Sequence, residues 1–401
     1  MSARQPLHTV YGGAHLFKAD IARRLGERAL SALEEHGAPA EFGAAFGLDV
    51  DAALARTIRD RVAAKLRREP VEDFRIDFED GYGNRPDAEE DGHAAAAAAE
   101  VARGHREGLL PPYVGIRIKP LGGELRGRAI RTLDRFVTTL ASEAGQMPTN
   151  FVVTLPKITV AEQVSALVDR LEGLERNLNL PAGTLRLELM IETTESVLGL
   201  RGECAIPGLV EAARGRCRGA HFGTYDYTAS CQITALHQHM THPACDFAKH
   251  MMQVALASTG VWLSDGATNV LPVGDQAAVR AAWRLHGSHV RQSLVGGFYQ
   301  GWDLHPAQLP SRYAAVYAFF LEGLDAASTR LRNFVDKAAQ ATLVGEVFDD
   351  AATGQGLLNY FLRALSSGAI TEAEGVERSG LTIEELRSRS FAAILRGRKL
   401  T

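Results

Sequence analysis

DFRIDFED at residues 73–80, YVGIRIKP at 113–120 and NFVVTLPK at 150–157 read as short β-rich apolar runs, each carrying ionisable residues and each followed by a long stretch with helical spacing. Working outward, runs of the same kind occur at LHTVYGGA (7–14), LRLELMIE (185–192), GAHFGTYD (219–226), GVWLSDG (260–266) and GGFYQGWDLHP (296–306). From the second run onward the starts lie 40, 37, 35, 34, 41 and 36 residues apart, the length of a strand, a crossover helix and two loops. Intervening segments such as AEQVSALVDRLEGLERNL and QAAVRAAWRLHGSHVRQSL place apolar residues three and four apart with charges opposite, as covering helices do. Eight such units predict an α/β fold, a (β/α)8 TIM barrel. A doubly wound open sheet is the alternative, because periodicity does not prove that the sheet closes.

The interval from residue 15 to 72 is too long for one crossover. It contains DAALARTIRDRVAAKLRREP, a helix pattern with basic residues in its last turn and a terminating proline. The barrel is therefore expected over 1–310 with a helical insertion at about 17–70. The alanine run at 94–99 reads as part of a covering helix. After residue 310 the strand signal ends, and helical patterns continue through RYAAVYAFFLEGLDAASTRLRNFVDKAAQ and TIEELRSRSFAAILRGRKL. This C-terminal helical extension, 311–401, is rich in Leu, Phe and Tyr; set beside an active mouth, it points to subunit contact and a homo-oligomer.

Among 401 residues, 46% are hydrophobic and 23% charged, which excludes disordered, collagen-like and disulfide-scaffold classes. Lys plus Arg number 44 against 48 Asp plus Glu, a net charge of -4, so there is no positive field for nucleic acid or an anionic membrane. Cys204, Cys217, Cys231 and Cys245 form no CxxC pair. The N-terminal MSARQPLHTVYGGAHLF lacks the apolar core of a signal peptide, and no apolar run reaches membrane-helix length. A cytoplasmic protein is expected.

Barrels of this type build their active sites at the C-terminal ends of the strands. Those ends carry Asp77, Glu79 and Asp80, then Arg117 and Lys119, Lys157, Glu192, Asp226, Asp265 and His305. So many ionisable groups converging on one cleft need partners or a metal. Glu192 and Asp226 are one βα unit apart and could aim two oxygens at one site, the donor set of Mg2+ or Mn2+ when completed by substrate and water. Salt bridges to Arg117 or Lys157 are the structural alternative. Arg117, with its planar fork of donors, suits a carboxylate or a developing enolate oxygen; Gly223, Thr224 and Asp265 are candidate substrate contacts beside it.

DFEDG at 77–81, GIRIKP at 115–120, TLPKI at 154–158, LMIETTESV at 189–197, FGTYDYTA at 222–229 and GFYQGWDLHPAQL at 297–309 resemble the successive signatures of the HpcH/HpaI aldolase and citrate lyase superfamily, in order, over residues from about 70 to 310. The branch of the citrate lyase β-subunit and malyl-CoA lyase is the most similar. The resemblance implies a phosphoenolpyruvate/pyruvate-type barrel and a metal-dependent lyase or aldolase acting on a bond next to a carbonyl, with a 2-oxo acid, hydroxy acid or acyl-CoA as substrate. Position by position, it implies Glu192 and Asp226 as metal ligands, Arg117 as the arginine holding the enolate oxygen, and Asp80 as the proton-handling or water-orienting group, supported by Glu79 and Asp77. Lys119 stands where the family commonly has asparagine, the first strand lacks the usual start, and the segment before residue 70 is foreign to smaller members. Relatives also place an acidic residue from a neighbouring subunit's C-terminal segment over the site; no motif matches it at Asp325 or Asp336.

Other readings compete. Lys157 could form a Schiff base with a carbonyl substrate and dispense with the metal. His237, His239 and His242 of HQHMTHP have zinc-like spacing, but follow the sixth strand, where histidines lining the mouth are the plainer reading. Cys231 is read as a buried apolar cysteine, and Gly122–Gly123 as a turn, since no phosphate-loop sequence is present. Finally, the barrel could be a binding or assembly protein without turnover.

Overall fold

The computed structural model describes residues 4–341 and 351–399. Its strands are β1 (His8–Gly13), β2 (Asp73–Asp77), β3 (Tyr113–Arg117), β4 (Phe151–Leu155), β5 (Arg186–Ile191), β6 (Cys217–Phe222), β7 (Trp262–Ala267) and β8 (Gln300–Asp303). All pairs are parallel, and β1 also pairs with β8, His8 opposite Gly301 and Val10 opposite Asp303. That long-range pairing closes the sheet and decides between the barrel and the open alternative.

The covering layer follows the expected alternation. Helices α1 (Ile21–His36), α2 (Phe42–Phe46) and α3 (Ala52–Arg68) fill the long first interval. Asp51 caps α3 by accepting from Leu54 N at 2.8 Å. Of its terminal basic residues, Lys65 is buried rather than solvated, paired with Glu72 at 2.6 Å. Next come α4 (Asp87–Glu107), α5 (Arg126–Ala144), α6 (Ala161–Asn177), α7 (Thr194–Val197), α8 (Ile206–Ala212), α9 (Thr224–Ser230), α10 (Pro243–Leu256), α11 (Gln276–Val295) and α12 (Leu309–Glu322). Ala94, Ala97 and Ala98 of α4 are buried, so the alanine run is a closely packed covering helix. The insertion docks on α11 through Phe46, whose ring stacks on Trp283 at 4.4 Å, a contact contributing about 0.5–1.5 kcal/mol beyond burial.

Two features of the C-terminal part differ from expectation. Helix α12 packs between α11 and α3 as the last covering helix, so the helices outside the barrel begin with α13 (Leu324–Ala341), followed by α14 (Ala351–Ser367), α15 (Glu372–Ser379), α16 (Ile383–Ser388) and α17 (Phe391–Lys399). These pack against the N-terminal face of the barrel rather than beside its mouth. Arg363 donates to Gln5 at 2.8 Å, and Arg61 pairs with Glu374 at 2.5 Å. Asp325 pairs with Arg378 within this group of helices, and Asp336 is exposed on α13. The cause lies in the path of α12, which carries the chain from the C-terminal rim back to the opposite end.

The barrel interior is unusually ionic. Arg75 donates from Nη2 to both Asp73 Oδ2 and Glu188 Oε2 at 2.7 Å, and His221 Nε2 lies 3.0 Å from the same Glu188 oxygen. Burial alone would raise the Glu188 carboxyl, but Arg75 and His221 hold it well below the usual range. Gly115 makes room for this layer: a Cβ there would come closer than 3.0 Å to Arg75 Nη1 and Val152 O. Period-two alternation then places Asp77, Arg117 and Glu192 above this layer, toward the C-terminal opening.

No helix among the described residues is long and apolar enough to cross a membrane.

Candidate active site at the C-terminal mouth

A cavity of about 410 Å3 opens at the C-terminal face, lined by residues from β1, β2, β3, β7 and β8 and from the segments that follow β2, β5, β6 and β8. Among them are Tyr11, Asp77, Asp80, Arg117, Glu192, Gly223, Thr224, Asp226 and Trp302.

Asp77 anchors one wall. Its Oδ1 accepts from Glu79 N at 3.0 Å and its Oδ2 from Gly81 N at 2.7 Å, so DFEDG folds into a turn around its own first carboxylate. A Cβ on Gly81 would stand 2.6 Å from Asp77 Oδ2, which explains the glycine. The same carboxylate grips Arg117 with both oxygens, Nε at 2.7 Å and Nη2 at 2.5 Å. Burial would lower the guanidinium pKa, but Asp77 outweighs it and holds it well above the ordinary value. Tyr11 and Trp302 cover the guanidinium at 4.9 and 5.4 Å from their ring centres. Its third nitrogen, Nη1, is buried, 3.1 Å from Glu79 Oε2 but out of line for a hydrogen bond.

Lys157, after β4, stands beside the cavity against Asp80 and Asp226 of its wall. It adopts φ 48°, a left-handed conformation for a non-glycine residue, in which its N–H donates to Glu192 Oε1 at 2.7 Å. Its ammonium binds Glu79, lies 2.9 Å from Asp80 Oδ2 and 3.6 Å from Asp226 Oδ1. Burial would lower the lysine pKa, but Glu79 and its neighbours hold it above the usual lysine range. A Schiff base requires the neutral amine, so this environment works against that reading. Glu79 and Asp80 are split: burial leaves the Glu79 carboxyl raised, whereas hydrogen bonds from Glu79 and Lys157 bring Asp80 below the ordinary value despite burial.

Glu192 is 1% exposed, and burial, reinforced by Asp226, pushes its carboxyl up to about 7. Asp226 lies in the first turn of α9 with its side chain 39% exposed. Their mutual repulsion marks a place for positive charge. Two carboxylates with room for substrate oxygens and water fit Mg2+ or Mn2+, which seldom take a cage made of protein alone. No group of three or more His, Cys, Asp or Glu arranged around one point occurs among the described residues. Thr224 Oγ1 is buried without a hydrogen-bond partner at the edge of the same cavity.

The mouth thus gathers Asp77, Glu79, Asp80, Arg117, Lys157, Glu192, Gly223, Thr224 and Asp226. Asp265 is a correction: it points away from the mouth, bound to Ser293 at 2.6 Å and Lys249 at 3.3 Å. Alternation on β7 turns Ser264 and Gly266 inward and Asp265 outward, toward α10 and α11. Lys119 donates to Phe78 O at 2.6 Å and pairs with buried Glu90. His305 caps the turn after β8 by accepting from Ala307 N. His242 caps α10, His239 bonds Thr241, and with His237 they stay off the cavity wall. Cys231 is half-buried at the end of α9, and Gly123, at φ 55°, makes a turn. Ionisable strand ends alone do not reveal Tyr11 and Trp302; the signal for them is the inward aromatic residues of β1 and β8.

Against solved structures, the chain is similar to a citrate lyase from Burkholderia xenovorans LB400, with TM-score 0.59 and 18% identity over 94% of this chain and 96% of that one. It is also similar to Haloferax volcanii malate synthase, with TM-score 0.53 and 14% identity over 98% of both chains. The magnesium/glyoxylate complex of that synthase aligns at TM-score 0.52 and 15% identity, over 100% of this chain and 99% of the other. At these identities the likeness is one of fold. No curated protein sequence matches the chain. The match that defines its family spans residues 1–394, and the chain belongs to the domain of unknown function DUF6986.

Proposed function

We propose that this protein is a Mg2+- or Mn2+-dependent enzyme that breaks or forms a carbon–carbon bond next to a carbonyl, through an enolate, on a 2-oxo acid, hydroxy acid or acyl-CoA thioester. The observation that carries the reading is the pairing of Glu192, buried and raised to about 7, with Asp226 in the cavity that Arg117 enters. Similarity of fold to a citrate lyase and a malate synthase, and the ordered motifs from DFEDG to GFYQGWDLHPAQL, support it.

Glu192 and Asp226 would hold the ion, which when bound supplies a Lewis acid for the substrate oxygens. Arg117, immobilised by Asp77 and by two aromatic rings, supplies a fixed positive charge beside the oxygen on which enolate charge develops. Lys157 adds a fixed positive charge and restrains Glu79 and Asp80. Asp80, side chain 57% exposed and held ionised, takes the hydroxyl proton during cleavage and returns it to the new alkoxide during bond formation. Tyr11 and Trp302 shed water from the reacting end.

The test is turnover of 2-oxo acids and acyl-CoA thioesters, starting with oxaloacetate, with Mg2+ and with EDTA. Activity that needs the ion and disappears in Glu192→Gln supports the reading; activity unchanged by EDTA contradicts it.

A further inference from the structure

At the end of the barrel opposite Glu192, a second cavity of about 480 Å3 lies between the N-terminal face and the C-terminal helices. Barrel residues Trp262 and Tyr299 form one side; Asn359, Arg363, Ser366 and Arg389 form the other. Among the described residues no carboxylate lines it, and the guanidinium of Arg363 enters it.

Arg363 Nη1 donates to the neutral amide oxygen of Gln5 at 2.8 Å, and its guanidinium lies 4.3 Å from the centre of the Tyr299 ring. No ion pair to Arg363 occurs among the described residues, whereas the buried arginines Arg75, Arg117, Arg216 and Arg312 each grip a carboxylate. Burial, with Arg389 nearby, holds its pKa below the ordinary arginine value. A partly buried cation without a counter-charge is costly, and a guanidinium with donors to spare matches the paired oxygens of a carboxylate or phosphate. A neighbouring cavity of about 550 Å3 shares Leu362, Ser366 and Arg389 and extends over Leu365 and Ile370, giving room for an apolar body.

We propose that this cleft is a binding site for an organic anion, a carboxylate or phosphate carried on an aromatic or branched apolar body, which would tie the C-terminal helices to the barrel. The anionic oxygens would meet Arg363, and the body would lie against Trp262 and Tyr299.

The chain has three tryptophans, of which Trp262 lines this cleft, Trp302 lines the mouth and Trp283 is buried, so fluorescence locates the ligand. The full-length protein is titrated with benzoate and with phenyl phosphate; whichever binds identifies the anion. The proposal expects saturable quenching that persists in Trp302→Phe, is lost in Trp262→Phe, and weakens about fivefold or more in Arg363→Gln, the loss of one charge-assisted hydrogen bond. It is overturned by no saturable quenching from either compound up to about 10 mM, by quenching that is lost with Trp302, or by weakening below about fivefold. Should Arg363→Gln not fold by circular dichroism, Ser366→Leu, which fills the cleft, replaces it: binding abolished supports the site, and binding retained overturns it.

Discussion

Gly223 lies so close to Glu192 that a Cβ added to it would come within 3.0 Å of that side chain's Cβ and Oε2. Its φ of -102° is open to any residue, so the glycine answers to space and not to backbone freedom. Gly223→Ala is therefore expected to push the carboxylate aside, weakening Mg2+ binding by about tenfold or more. Calorimetric titration of Mg2+, with circular dichroism as the folding control, measures this.

Glu192 sets a pH dependence on two quantities. Its folded pKa, about 7, exceeds the ordinary 4.5, so the folded protein retains this proton where the unfolded chain releases it. The contribution to stability is full below about pH 4.5 and falls as pH rises toward 7, by on the order of 3 kcal/mol in the metal-free protein. Mg2+ affinity moves oppositely, rising through the same range as the proton leaves. Melting temperature against pH in EDTA should show the slope in the wild type and lose it in Glu192→Gln.

Lys157 is held charged by Glu79 and Asp80. Borohydride added with pyruvate or oxaloacetate should leave the protein's mass unchanged, while EDTA abolishes turnover. A reduced adduct on Lys157 by mass spectrometry would instead establish the Schiff-base route.

The Asp77–Arg117 pair is buried on both sides, at 1% and 2% side-chain exposure. Asp77→Ala strands the guanidinium and should cost about 3–5 kcal/mol in chemical denaturation. Arg117→Lys keeps the charge but loses the fork and the seating between Tyr11 and Trp302; kcat should fall about 100-fold with the fold intact.

How much was legible in the sequence follows the range of the interaction. The barrel's units are local, and their even spacing showed in the runs from DFRIDFED to GGFYQGWDLHP. Closure rests on His8 meeting Gly301, a contact across nearly three hundred residues that no local pattern encodes. The site's charged members were readable because their strand ends are ionisable, a costly choice for a position facing a closed core. Asp265 misleads because position along a strand, without parity, does not separate inward from outward side chains: its neighbours Ser264 and Gly266 take the inward places. The location of the C-terminal helices was hidden because an apolar helix face does not state which end of a barrel it covers; α12 first has to return the chain to the N-terminal face.

The most direct test is a crystal structure with Mn2+ and oxalate, which resembles the enolate of pyruvate, located by anomalous scattering. The account requires an Mn2+ peak in contact with the carboxylates of both Glu192 and Asp226 and oxalate within reach of Arg117. An ion bound away from either carboxylate, or oxalate seated outside this cavity, would contradict it.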